Sequence, residues 1–98
     1  MSETERAGGG NSIAVTIYTT MLCPYCHQAK HLLKRKGVDY HEIDVTMRPR
    51  ERAAMRQRAG GRHTVPQIFV GPLHVGGCDD LFELESLGRL DELLNSTV

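Results

Sequence analysis

Two cysteines three positions apart, Cys23 and Cys26, stand between an uncharged β-branched run and an amphipathic pattern. This junction constrains the fold more than any other stretch of the chain. The run Ile13-Ala14-Val15-Thr16-Ile17-Tyr18 is what a strand covered on both faces of an α/β sheet requires. Pro24 suits the first turn of a helix, Cys26, Ala29, Leu32 and Leu33 follow at helical spacing, and Gly37 supplies the stop. Strand, cysteine loop and helix are therefore expected in that order.

The segment Val38–Val45 reads as a second strand, although its apolar positions change parity between Tyr40 and Ile43. Pro49 fits the start of a second helix through Ala59, closed by Gly60-Gly61. Pro66 opens Gln67-Ile68-Phe69-Val70, and the Gly71-Pro72 break before Leu73-His74-Val75 predicts a hairpin. After Gly76-Gly77, Asp80 with Glu83 forms a capping-box pattern that predicts a third helix starting at Asp80. Gly88 interrupts that helix, and Leu90, Leu93 and Leu94 continue its apolar face in a short fourth. The order β-α-β-α-β-β-α-α gives an α/β fold, a four-stranded mixed β-sheet flanked by helices. A C-x-x-C at the end of the first strand of such a unit is the thioredoxin-like pattern.

A chain of 98 residues supports one core of ordinary size. Residues 1–11, with Gly8-Gly9-Gly10, have almost nothing to bury and are expected to be a disordered tail ahead of a folded domain at 12–98. There is no basic start with an apolar run of the secretory kind, and no stretch of roughly 20 apolar residues, so a cytoplasmic location without membrane contact is expected. Net charge is zero, but residues 27–62 carry ten Lys/Arg against four acids, and residues 63–98 carry one against six. Most of these side chains read as solvated helix faces, with guidance of an anionic substrate as the sharper alternative. Neutral balance and the lack of basic runs interleaved with aromatics argue against nucleic-acid binding.

Placed just before a helix, Cys23 meets free N–H groups and the positive end of the helix dipole, which favour a negative sulfur. Cysteines so placed have pKa values lowered from about 8.5 into the range of roughly 3.5–7.5, and Lys30 adds to this if it points back to the loop. Cys23 is then the attacking thiolate, and Cys26, on the buried helix face, is the resolving thiol. Zinc needs four ligands, and only Cys78 and scattered histidines remain, so no metal site is expected. Cys23-Pro24-Tyr25-Cys26-His27 also fits the c-type haem signature, which lacks its export context here. An iron–sulfur cluster shared through Cys23 with a partner subunit or glutathione stays open as an alternative. His27, His31, His41, His63 and His74 read as surface histidines, Tyr18 and Tyr40 as packing residues, and Tyr25 as facing solvent.

Three motifs, Cys23-Pro24-Tyr25-Cys26, Thr64-Val65-Pro66 and Gly76-Gly77-Cys78-Asp79-Asp80, come in the order and spacing of the glutaredoxins. From about Ile13 to Leu94 the chain resembles the dithiol members of that family. The resemblance implies a glutathione-dependent thiol–disulfide oxidoreductase that reduces protein–glutathione mixed disulfides and protein disulfides, with glutathione as co-substrate and no tightly bound cofactor. It implies a cis-proline at Pro66 facing the dithiol, and a Val65 backbone that pairs with the cysteinyl part of glutathione. It also implies a clamp at Gly77-Cys78-Asp79 for the γ-glutamyl end, with Tyr25 and Thr64 beside the tripeptide. Many relatives hold the glycyl carboxylate with a lysine where this chain has Thr20, so Arg58 is the expected substitute and Arg62 a weaker one. Cys78 reads as a small residue that lets the backbone approach glutathione. A monomer is expected, with disulfide-containing or glutathionylated proteins as partners and ribonucleotide reductase among the candidates. A thioredoxin-like reductant served by a dedicated reductase is the alternative enzyme.

Overall fold

The computed structural model describes residues 14–95, so the expected tail lies outside the described residues. Strand β1, Val15–Thr19, leads into helix α1, Pro24–Arg35, in which Cys26, Ala29, Leu32 and Leu33 form the buried face. Cys23 is the N-cap, Pro24 opens the first turn, and Lys34 and Arg35 place positive charge against the negative end of the helix dipole. Gly37 stops the helix with φ of 74°, and its N–H donates to the Lys34 carbonyl.

Strand β2, His41–Asp44, is shorter than expected. Its change of parity has a simple cause: both faces of the sheet are covered, by two different clusters. Tyr40 packs on the cluster of Ile17, Leu32, Ile68 and Leu81, whereas Ile43 packs on Met55, Phe69 and Tyr18 across the sheet. Helix α2, Pro49–Arg58, commits only Met55 to the core within its span and is otherwise largely a solvated, arginine-rich surface.

Strands β3, Gln67–Val70, and β4, Leu73–Gly76, form the hairpin, followed by α3, Cys78–Ser86, and α4, Leu90–Leu94. Helix α3 starts two residues before the expected Asp80. Gly77 is its N-cap, and Asp80 is the third helical residue, whose carboxylate accepts from the Gly77 N–H at 2.8 Å. The acid that resembled a cap is thus the reciprocal arm of a capping arrangement.

The sheet order is β2-β1-β3-β4, with β1 and β2 parallel and the other pairs antiparallel. The expected four-stranded mixed sheet and its thioredoxin-like fold are what the chain adopts. Fully buried Ile17, Leu32, Leu33, Ile68 and Leu81 anchor the larger cluster, at roughly 1.5–3 kcal/mol for each such side chain taken from water. The pairing also fixes where the motifs meet. Tyr18 near the end of β1 faces Gln67 at the start of β3, and Ile68 faces Gly76 at the end of β4. Residues just after β1, just before β3 and just after β4 therefore converge at one end of the sheet.

Candidate active site

Cys23 and Cys26 are joined in a disulfide, with Cα atoms 5.2 Å apart. Cys23 is 7% exposed and Cys26 1%, so the first cysteine is the less deeply buried of the two. The Cys26 N–H donates to Cys23 Sγ at 3.1 Å, one of the first-turn donors that a helix leaves without a backbone partner. Lys30 does not reach back to this loop. Its ammonium lies 3.0 Å from the Glu42 carboxylate. Burial resists ionisation of Glu42, but hydrogen bonds from Thr19 and Lys30, with the Lys30 charge, bring its pKa below the usual carboxylate value. The help available to Cys23 is therefore from the helix end itself.

Facing the dithiol is the Val65-Pro66 peptide, which is cis. The Val65 carbonyl oxygen lies 3.9 Å from Cys23 Sγ. A cleft of about 150 Å³ opens beside this contact, lined by Tyr25, Arg62, Thr64, Val65, Pro66, Gly77, Cys78, Asp79 and Asp80. Eight of these are residues expected from the sequence to hold glutathione, Arg62 among them as the weaker candidate. Tyr25 faces solvent, as expected, at 59% exposure.

Arg58 is the exception. It turns toward the Gly71 end of β3, away from Pro66, donating to the Tyr18 hydroxyl at 3.3 Å and the Gly71 carbonyl at 3.4 Å. Its guanidinium also covers the Phe69 ring at 4.1 Å. An apolar ring and two acceptors satisfy it there, so Arg58 does not line this cleft and packs on the smaller core. The cation that lines the cleft is Arg62, 3.2 Å from the Asp80 carboxylate. That carboxylate is held below its usual pKa by the Gly77 N–H and, after a burial penalty, by Arg62.

Two glycines make room for this arrangement. Gly76 has φ of 119°, and a Cβ there would collide with the Asp80 carboxylate and come within 2.9 Å of Arg62 Nη1. At Gly77 a Cβ would be 3.4 Å from the Pro66 carbonyl oxygen. Cys78 is buried, and burial, then the Asp79 charge, push its thiol pKa up. It is a small wall residue with little thiolate character, consistent with its expected place in the cleft.

Two residues behind the cleft were not singled out by the sequence. Gln67 is completely buried and donates through Nε2 to the Thr64 carbonyl at 3.0 Å and hydroxyl at 3.2 Å. His74, expected to be a surface histidine, is half-buried, stacks on Phe69 at 4.8 Å and meets Gln67 Oε1 at 2.7 Å. Burial, then the Arg62 charge, lower its pKa. The available signal was Gln67 itself, an amide set directly after Pro66 at the head of an otherwise apolar strand.

Among known proteins, the glutaredoxin family model matches residues 15–75. The chain is 56% identical over 82 residues to a glutaredoxin of Pseudomonas aeruginosa, covering 84% of this chain and 96% of that protein. It superimposes on the solution structure of glutaredoxin from Brucella melitensis with a TM-score of 0.77 at 55% identity, covering 90% and 95% of the two chains. A buckwheat glutaredoxin–glutathione complex gives a TM-score of 0.76 at 32% identity, covering 86% and 78%. With its dithiol at the head of α1 and a cis-proline opposite, the chain belongs to the glutaredoxin family and is a thiol–disulfide oxidoreductase.

Proposed function

We propose that this chain uses glutathione to reduce glutathionylated proteins and protein disulfides, with Cys23 as nucleophile and Cys26 as resolving thiol. The observation that carries this reading is the cleft, whose peptide wall at Val65 lies 3.9 Å from the Cys23 sulfur and whose far side is a helix N-terminus. On reduction, the Cys26 N–H and the end of α1 favour the Cys23 thiolate. It attacks the glutathione sulfur of a mixed disulfide. A Cys23–glutathione bond forms, and the substrate sulfur leaves as a thiolate that takes up a proton. A second glutathione thiolate then attacks that glutathione sulfur, releasing glutathione disulfide and regenerating Cys23. For a protein disulfide, Cys26 displaces the substrate from Cys23, and two glutathione molecules reopen the resulting bridge.

In this reading the cysteinyl part of glutathione lies along Val65, and its γ-glutamyl carboxylate meets the N–H groups at the start of α3 around Cys78 and Asp79, with Asp79 toward the ammonium. That a buckwheat relative has been solved as a glutathione complex supports glutathione as the ligand. Arg62 adds positive charge at this γ-glutamyl end, beside Gly77, and not at the glycyl end where a cation was expected. Exposed Met21 and Leu22, the latter 92% exposed, flank Cys23 and suit contact with protein substrates. Side-by-side turnover on a glutathionylated protein with glutathione and glutathione reductase, or with thioredoxin reductase, tests the reading. Activity with the first system only is expected, and activity with the second only would refute it.

A further inference from the structure

We propose that His74 is a positioning residue for the Val65 wall of the cleft, acting through Gln67 on Thr64. The inference rests on the reading of the cleft as a glutathione site. Gln67 is one of two fully buried polar side chains among the described residues, the other being Thr19. A buried amide with unmet donors or acceptors is costly, so its partners determine how it sits. Its Nε2 serves both the carbonyl and the hydroxyl of Thr64. A flipped amide would set Oε1 against the Thr64 carbonyl, acceptor against acceptor. The amide is thereby oriented with Oε1 toward His74.

At 2.7 Å from that oxygen, His74 Nε2 must carry a proton and donate. Stacking on Phe69 holds the ring in place, and β4 pairs His74 with Phe69 in register. The chain of contacts thus runs from a half-buried ring in β4, through a buried amide in β3, to the residue before Val65. Val65 is bound to Thr64 on one side and to the cis-proline on the other, and its carbonyl lies beside Cys23 Sγ. Fixing Thr64 fixes the plane of the peptide that meets the substrate. His74 is not among the residues that line the cleft, so its effect is on binding geometry and not on the nucleophile.

The test compares His74→Phe, which keeps an aromatic ring on Phe69 but removes the donor, with His74→Gln, which keeps a donor near the Nε2 position. Steady-state kinetics with a glutathionylated peptide and glutathione should show KM raised about five- to tenfold in His74→Phe, as for loss of one buried hydrogen bond. kcat should change less than twofold, and iodoacetamide should alkylate reduced Cys23 at the wild-type rate. His74→Gln should recover most of the KM. Unchanged KM in His74→Phe, or equal impairment in both variants, would overturn the inference alone. No turnover of the wild-type protein with glutathione would overturn the reading of the cleft, and the inference with it. Should His74→Phe fail to fold, the wild-type protein decides the matter: ring nitrogen NMR must show the neutral His74 protonated at Nε2, and protonation at Nδ1 only would overturn the relay.

Discussion

The carbonyl oxygen of Val65 lies 3.9 Å from the sulfur of Cys23, although 42 positions separate the two residues in sequence. Antiparallel pairing of β1 with β3 produces this approach, because the end of one strand lies beside the start of the other. The return strand β4 then delivers Gly76 and Gly77 to the same end. A peptide wall and the head of α3 line the cleft, a sulfur at the head of α1 lies against that wall, and each comes from a different connection of one small sheet.

The glycine pair gives a graded prediction. Gly76→Ala meets both a left-handed φ and a collision with the Asp80 carboxylate, whereas Gly77→Ala meets the Pro66 carbonyl oxygen at 3.4 Å and Arg62 Nη2 at 3.5 Å, both ordinary contacts. Urea unfolding should show Gly76→Ala less stable by more than about 1 kcal/mol. Gly77→Ala should lose less stability, with its main effect a raised KM for glutathione. Equal stability of wild type and Gly76→Ala would contradict the geometry assigned to that turn.

Arg58 and Arg62 should separate stability from binding. Arg58→Ala loses the cation over Phe69, worth about 0.5–1 kcal/mol at such an exposed position, and leaves glutathione kinetics unchanged. Arg62→Ala breaks a solvent-exposed pair with Asp80 whose contribution to stability is small, about 0–1 kcal/mol. Its KM for glutathione should nevertheless rise roughly fivefold or more, as for a hydrogen bond to a charged group. A KM defect in Arg58→Ala with none in Arg62→Ala would reverse the assignment.

Much of this architecture was legible because the residues carry their own local instructions. The uncharged strand, Pro24 at a helix start, the spacing of Ala29, Leu32 and Leu33, and Gly37 at a helix end act within a few residues. The cysteine chemistry was legible for the same reason. The direction of Arg58 was not legible because a long side chain at the last residue of α2 has several destinations, and only packing shows that Phe69 and Tyr18 take it. Asp80 was read as a cap because the same spacing fits an acid that starts a helix and one that reaches back to Gly77. His74 was opaque since the partners that half-bury it, Phe69 and Gln67, are set by hairpin register and not by neighbours in sequence.

Acidification should reveal His74. Burial and the nearby Arg62 and Arg58 charges lower its pKa in the folded protein, only partly opposed by Asp80. The unfolded chain then binds a proton more readily than the folded one, so stability rises with pH between the folded pKa and about 6.5. The contribution is fully present above about 6.5 and is lost as pH falls through the folded pKa. Urea midpoints at pH 7.5 and 5.5 should therefore drop further for wild type than for His74→Gln, which does not titrate. The same drop in both proteins would show that His74 is not the group responsible.

Division of labour between the two cysteines is the central claim, and Cys23→Ser and Cys26→Ser variants test it most directly. Glutathione-coupled turnover of a glutathionylated protein requires a nucleophile at the less buried position and needs no resolving thiol. Cys23→Ser should be inactive, and Cys26→Ser should retain activity on that substrate while losing reduction of protein disulfides. Sustained turnover by Cys23→Ser, with Cys26→Ser inactive, would contradict the assignment.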